Sequence, residues 1–187
     1  MSEFMPTWEQ PSHPDHLQVV KGAAPYESSA RSLVALPAGA VFAKITTAIP
    51  AAHKTYTSVQ TGRNSNIELC SDLVYCNHSC SPSLEFDMAR FEVRVSRHQP
   101  LAIGDELTFY YPSTEWDMVQ PFSCTCGSDR CLKAISGSRV FEPRVLERYW
   151  LNPHIEELLS VHQATVLGDI DQKPVETSAQ VAQTAQS

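Results

Sequence analysis

Asn77, His78, Ser79 and Cys80 follow one another without a break, and Pro82 closes the stretch against any continuing helix or strand. Polar and reactive side chains packed this densely need partners on every side, so the rest of the chain has to be arranged around them. Two later segments answer this one. Residues 104–111 read Gly-Asp-Glu-Leu-Thr-Phe-Tyr-Tyr, and residues 124–131 hold Cys124, Cys126 and Cys131. The three segments are expected to converge on one site.

With 187 residues, 42% of them hydrophobic, the chain is long enough for one domain with a sizeable core and does not have the composition of a disordered chain. The net charge is −7 and no run of Lys or Arg stands out, so nucleic acid is not expected as a direct partner. The N-terminus lacks the basic-then-apolar pattern of a secretory signal, and no apolar run is long enough to span a bilayer. An intracellular location, nuclear or cytoplasmic, with no membrane partner, is the expectation. In that setting six cysteines favour metal ligands or free thiols over disulfides. Zinc takes four ligands in a tetrahedral arrangement and favours thiolates, so Cys124, Cys126 and Cys131 read as three ligands of a structural zinc ion. Cys70 and Cys76 read as core thiols.

In chain order, residues 1–16 are an irregular lead with three prolines, and residues 17–21 are a strand candidate. Strands are expected over 32–35 and 41–45, joined as a hairpin by the Leu-Pro-Ala-Gly turn at 36–39. Residues 46–66 form a short polar insert, and a short strand over 67–70 leads into Asn77. A second hairpin is expected from 84–87 and 91–95, where Phe91, Val93 and Val95 alternate with Glu92 and Arg94. A short strand over 106–109 follows. Residues 143–150 and 153–163 read as helices that pack over the zinc segment or, as the alternative, serve a partner, the second with Asn152 as N-cap and Pro153 at the first helical position. Residues 168–187, rich in Gln, Ala, Thr and Ser, read as a flexible tail.

The order and spacing of Asn77-His78-Ser79-Cys80-x-Pro82, Gly104-Asp105-Glu106-Leu107-Thr108-Phe109-x-Tyr111 and Cys124-x-Cys126-x4-Cys131 resemble the SET-domain family of S-adenosylmethionine (SAM) dependent lysine methyltransferases with a zinc-binding post-SET segment. The resemblance implies a mostly β fold with minor α, made of several small sheets around a knot-like turn. It covers roughly residues 17–135 as a SET-like domain (17–122) and a post-SET zinc segment (123–137); composition and pattern add the lead (1–16), C-terminal helices (138–167) outside the resemblance, and the tail (168–187). It makes Cys80 the fourth zinc ligand and Tyr111 the catalytic tyrosine. It also places Asn77 and His78 against SAM, with Tyr75 lining the same pocket. Phe109, Trp116 and Phe122 are candidates for the wall of a substrate channel.

Three departures accompany this resemblance. The family's Gly-x-Gly loop, whose backbone lines the SAM pocket, falls here at about Glu27, Ser28 and Ser29, and serine serves at those places where the loop keeps negative φ. The family's Pro-Asn is Pro82-Ser83, and its Phe-Asp-Tyr is Phe109-Tyr110-Tyr111. The leading functional expectation is methyl transfer from SAM to a protein lysine amine. The alternatives are a biosynthetic enzyme methylating or cyclising a small molecule on a SET-like scaffold, and a non-catalytic interaction module.

Overall fold

The computed structural model describes residues 5–24 and 26–171, with side chains as far as residue 166. The strands, in chain order, are β1 (Leu17–Val20), β2 (Ser29–Ser32), β3 (Val41–Lys44), β4 (Ile49–Pro50), β5 (Val59–Gln60), β6 (Asn66–Glu68), β7 (Asn77–His78), β8 (Leu84–Asp87), β9 (Glu92–Val95), β10 (Thr108–Phe109), β11 (Phe122–Ser123) and β12 (Ala134–Ile135). Two helices follow, α1 (Pro143–Leu146) and α2 (Pro153–Asp171). The strands form five small sheets, β1-β2, β4-β6-β5, β3-β9-β8, β10-β7 and β11-β12. This is the mostly β, many-sheeted architecture that the resemblance implies.

The β8-β9 hairpin forms as its alternation predicts over Val93 and Val95, whereas Phe91 falls in the turn at φ 53° and is exposed. Leu84 faces Val95 and Phe86 faces Val93, all four fully buried, while Glu85 and Arg94 point the other way. Burial of each such side chain stabilises the fold by about 1.5–3 kcal/mol. Phe86 also stacks on Phe109, with ring centroids 4.1 Å apart. That contact ties the central sheet to the strand leading into Tyr111.

The expected hairpin between 32–35 and 41–45 does not form. The turn is there, with Gly39 at φ 76°, but β2 ends at Ser32 and pairs with β1. The Ser32 hydroxyl donates to the Val34 carbonyl at 2.7 Å and accepts from the Val34 N–H at 3.2 Å, which turns the chain out of the ladder. Leu36 then bridges to Leu101, and β3 pairs with β9. Of the other expected elements, the strand over 106–109 shrinks to β10, and the helix over 143–150 is the single turn α1. Helix α2 runs past 163, so residues 168–171 of the expected tail are helical and the remainder lies outside the described residues.

Two polar anchors complete the frame. Asp72, buried just before Asn77, accepts from Trp8 Nε1 at 2.9 Å, Gln10 Nε2 at 2.5 Å and the Ser12 N–H at 2.7 Å. The lead is irregular, as expected, but strapped down. Burial works against the Asp72 charge, and these donors outweigh it and lower its pKa. Asn152 precedes α2 as expected, and its backbone carbonyl opens the helix. Its side chain does not cap. It donates to the carbonyls of Phe86 and Ser113, both at 2.9 Å, and accepts the Met88 N–H at 2.8 Å. A fully buried amide with three backbone partners fixes the start of α2 to the central sheet, whereas the sequence reading places the helices over the zinc segment.

Candidate active site and metal centre

β7 and β10 pair in parallel, Asn77 opposite Thr108 and His78 opposite Phe109. This pairing, with the Ser79 N–H on the Phe109 carbonyl at 3.1 Å, brings two of the three motifs together. Ser83 locks it. Its hydroxyl accepts from the Thr108 N–H at 2.9 Å and donates to the Glu106 carbonyl at 2.8 Å. The serine that stands where the family has asparagine therefore holds the turn itself.

Around this junction lies a cavity of about 1320 Å³ whose walls include Ser28, Tyr75, Asn77, His78, Phe109, Tyr111 and Phe122. A drug-sized ligand site is typically about 300–1,000 Å³, so there is room for a cofactor and an acceptor together. Asn77 Nδ2 donates to the Ser28 carbonyl at 3.1 Å, joining the β1-β2 loop to the central turn. Neither Ser28 nor Ser29 has positive φ; the left-handed residue of this loop is Tyr26, at φ 68°. The loop thus takes its shape without the glycines. Ser29 pairs with Val20 in the β1-β2 ladder and is not in the cavity wall. Trp116 is not there either; its ring packs edge-on against His162 of α2, with centroids 5.6 Å apart.

The Tyr111 hydroxyl donates to the Cys76 carbonyl at 3.3 Å. Burial, then the neighbouring Cys76 and Glu115, raise its pKa, so it stays protonated and acts as a hydrogen-bonding group rather than a base. The His78 ring packs edge-on to Tyr111 and Phe122, with centroids 5.4 and 5.7 Å away. Its Nδ1 accepts the Tyr111 N–H at 3.3 Å, so its Nε2 carries the proton and faces the Cys80 sulfur at 3.3 Å. Burial lowers its pKa to about 4, and the ring is neutral. His78 therefore couples the backbone of Tyr111 to the cysteine cluster.

The sulfurs of Cys80, Cys124, Cys126 and Cys131 all lie within 4.8 Å of one another. A tetrahedral site with Zn–S near ~2.3 Å spaces its sulfurs about 3.8 Å apart, so the four fit a zinc ion with little movement. Gly127 at φ 73° makes the turn that returns the loop after Cys126. Burial pushes the Cys80 and Cys124 thiols up, to about 11 and about 12. Burial opposes charge at Cys126 too, yet donors on the Cys80 and Ser128 backbones and the neighbouring thiols bring it down to about 6. One ready thiolate among thiols that lose protons on metallation is the donor chemistry of a zinc site. The Leu132 N–H on the Cys80 sulfur at 3.4 Å, with His78, supplies the surrounding donors. Cys76 is a buried core thiol, as expected, whereas Cys70 is only half-buried and sits in a left-handed turn at φ 46°.

The insert supplies a wall that no motif announced. Lys54 Nζ pairs with Glu115 Oε2 at 2.7 Å, and Glu115 Oε1 accepts the Gln60 N–H at 2.8 Å. Both Lys54 and Glu115 line the cavity. Tyr56 of the insert meets Tyr26 of the β1-β2 loop edge to face, centroids 5.5 Å apart. Tyr110, in place of the family's aspartate, stacks on Tyr149, whose hydroxyl donates to the Cys80 carbonyl at 3.1 Å. That stack fastens the C-terminal segment to the cysteine lobe. Lys21 also lines the cavity, with its Nζ 3.0 Å from the Tyr75 hydroxyl. Lone lysines and acids in otherwise motif-free segments gave no sequence signal.

No family model matches the chain. Among solved structures, a crystal structure of KRYPTONITE in complex with mCHH DNA, H3(1–15) peptide and SAH aligns at 21% identity with a TM-score of 0.47, over 63% of this chain and 29% of that one. The chain thus spans less than a third of that protein's length. The methyltransferase flvH of Aspergillus flavus is 74% identical over 166 residues, which make up 89% of this chain and 93% of that protein. With identity of that level along nearly its whole length, the chain belongs to the methyltransferase family of flvH.

Proposed function

We propose that the chain transfers a methyl group from SAM to an amine nitrogen held beside the Tyr111 hydroxyl. The observation that carries this reading is the single cavity walled by the loop residue Ser28, the Asn77-His78 turn and Tyr111. SAM supplies an electrophilic methyl group on a sulfonium when bound. Ser28, Asn77, His78 and Tyr75 form its side of the cavity. An acceptor amine attacks through its lone pair and so must arrive neutral, against a free lysine pKa near ~10.4. The apolar faces of Phe109 and Phe122 favour the neutral amine by withholding water. Tyr111, protonated and already donating to the Cys76 carbonyl, accepts a hydrogen bond from the amine N–H and so aims the lone pair. The four cysteines would hold a structural zinc ion, and with all four positions taken by sulfur such an ion would shape the site without entering the chemistry.

A protein lysine is the leading acceptor class. The contact between Tyr26 and Tyr56 favours a small-molecule amine as a second reading, because it links two walls of the cavity that an extended peptide has to pass. Calorimetric titration of SAM into zinc-replete protein, followed by isotopic methyl transfer to a mixture of proteins and to a panel of small amines, tests both. Micromolar binding with label on a lysine supports the first reading, and label on a small amine supports the second. Full activity in Tyr111→Phe would remove Tyr111 from its role, since the expected loss is about a hundredfold or more.

A further inference from the structure

The cavity wall contains two lysines, and they differ in what they face. Lys54 is consumed: its Nζ pairs with Glu115 Oε2 at 2.7 Å and also donates to the Asp117 carbonyl. Lys21 has no carboxylate partner among the described residues. Its Nζ donates to the Tyr75 hydroxyl at 3.0 Å and stands 4.7 Å from the centre of the Tyr75 ring. A cation held over an aromatic face keeps its attraction for an anion, because the ring carries no net charge to cancel it.

The position of Lys21 is set by the fold. In the β1-β2 ladder Val20 pairs with Ser29, so the next residue on each side, Lys21 and Ser28, begins and ends the connecting loop. The Gly22 N–H donates to the Ser28 hydroxyl at 3.2 Å and closes that loop at its base. The Ser28 carbonyl takes the Asn77 amide, and Tyr75 lies two residues before Asn77. Lys21 is therefore held beside the residues that form the cofactor side of the cavity, with an exposed ammonium that faces no carboxylate among the described residues.

We propose that Lys21 is the anion clamp of the cofactor site and binds the carboxylate of the methionyl part of SAM, with Tyr75 holding the ammonium in place. The assignment rests on the SAM reading given above. SAM and its product S-adenosylhomocysteine (SAH) carry one carboxylate each, on the amino-acid end. Lys21 thereby orients the sulfonium indirectly, by anchoring that end while the Ser28-Asn77 side takes the remainder. It is a positioning residue and touches no reacting atom.

The test is calorimetric and independent of turnover. SAH and decarboxylated SAH, which lacks only the carboxylate, are titrated into zinc-replete wild type, Lys21→Met and Lys21→Arg. One charge-assisted hydrogen bond is at stake, so Lys21→Met should weaken SAH binding about tenfold to a hundredfold. Its affinity for decarboxylated SAH should match that of wild type, which also reports an intact fold. Lys21→Arg should recover most of the SAH affinity. Equal SAH binding by wild type and Lys21→Met overturns the assignment and leaves the cofactor reading standing. Equal loss of both ligands in Lys21→Met also overturns it, since Lys21 would then act through loop shape. No SAH binding by wild type overturns the cofactor reading and this assignment with it.

Discussion

The central sheet and the cysteine lobe meet at Cys80 and are held by opposite means. Around β8 and β9 the interior is apolar and closed, with Leu84, Phe86, Val93 and Val95 fully buried. The lobe has two-residue strands, β11 and β12, and a buried core of Ile135 with Cys80 and Cys124. Apolar burial of that extent cannot order fifteen residues, because each fixed residue costs about 1–2 kcal/mol in backbone entropy. The sheet is stabilised by the surface it removes from water. The lobe has instead a cluster of four cysteines that could hold a metal ion.

The two regions should therefore fail separately. The largest effect is expected from Cys126→Ser, since structural zinc in small peptides contributes about 10–16 kcal/mol of apparent binding free energy. Metal analysis should show loss of zinc, and limited proteolysis should cut within 123–137 while the β8-β9 hairpin stays protected. A metal-free variant with an uncut lobe would erase the distinction. Next comes Phe86→Ala, at about 3–5 kcal/mol in chemical denaturation. Here the whole domain should unfold, including the lobe, because Phe86 also supports Phe109 beneath the active site.

Asn152→Ala probes the seam between the helices and the sheet. It strands the Met88 N–H and removes the side-chain donor to the Phe86 carbonyl, while the Ser113 carbonyl keeps the backbone N–H of residue 152, and a loss of about 2–3 kcal/mol is expected with zinc content unchanged. The smallest effect is one of pH. His154 of α2 is buried against the Thr114 carbonyl at 2.9 Å, and Glu115, Lys54 and Glu157 are the charges around it. Burial, the dominant cause, lowers its pKa, with the Thr114 carbonyl and Glu115 opposing that shift. The unfolded chain then binds the proton more readily, so stability is complete above the ordinary histidine range near ~6.5 and is lost as pH falls below it. His154→Asn should flatten that part of the stability profile, measured as the difference from wild type. An unchanged slope would mean that His154 carries no share of it.

The three motifs were legible because each is local: a run of four side chains, a strand end and a cysteine spacing are all fixed within about ten residues. The β8-β9 hairpin was legible for the same reason, through alternation. The failed hairpin shows the limit. Residues 32–35 are mostly apolar and a turn follows them, but strand pairing also depends on partners far along the chain. β9 outcompeted the near neighbour for β3.

The site shows the same boundary. Spacing made Cys124, Cys126 and Cys131 candidates, and the motif resemblance added Cys80 and Tyr111. Ser29 and Trp116 looked equally eligible, and the fold turned both away from the cavity. Lys21, Lys54 and Glu115 had no motif, and they acquired roles only when segments dozens of residues apart closed around one space. Sequence determined which chemistry was available here; tertiary structure decided which of it faces the cavity, because side-chain direction depends on long-range pairing and burial that no short window contains.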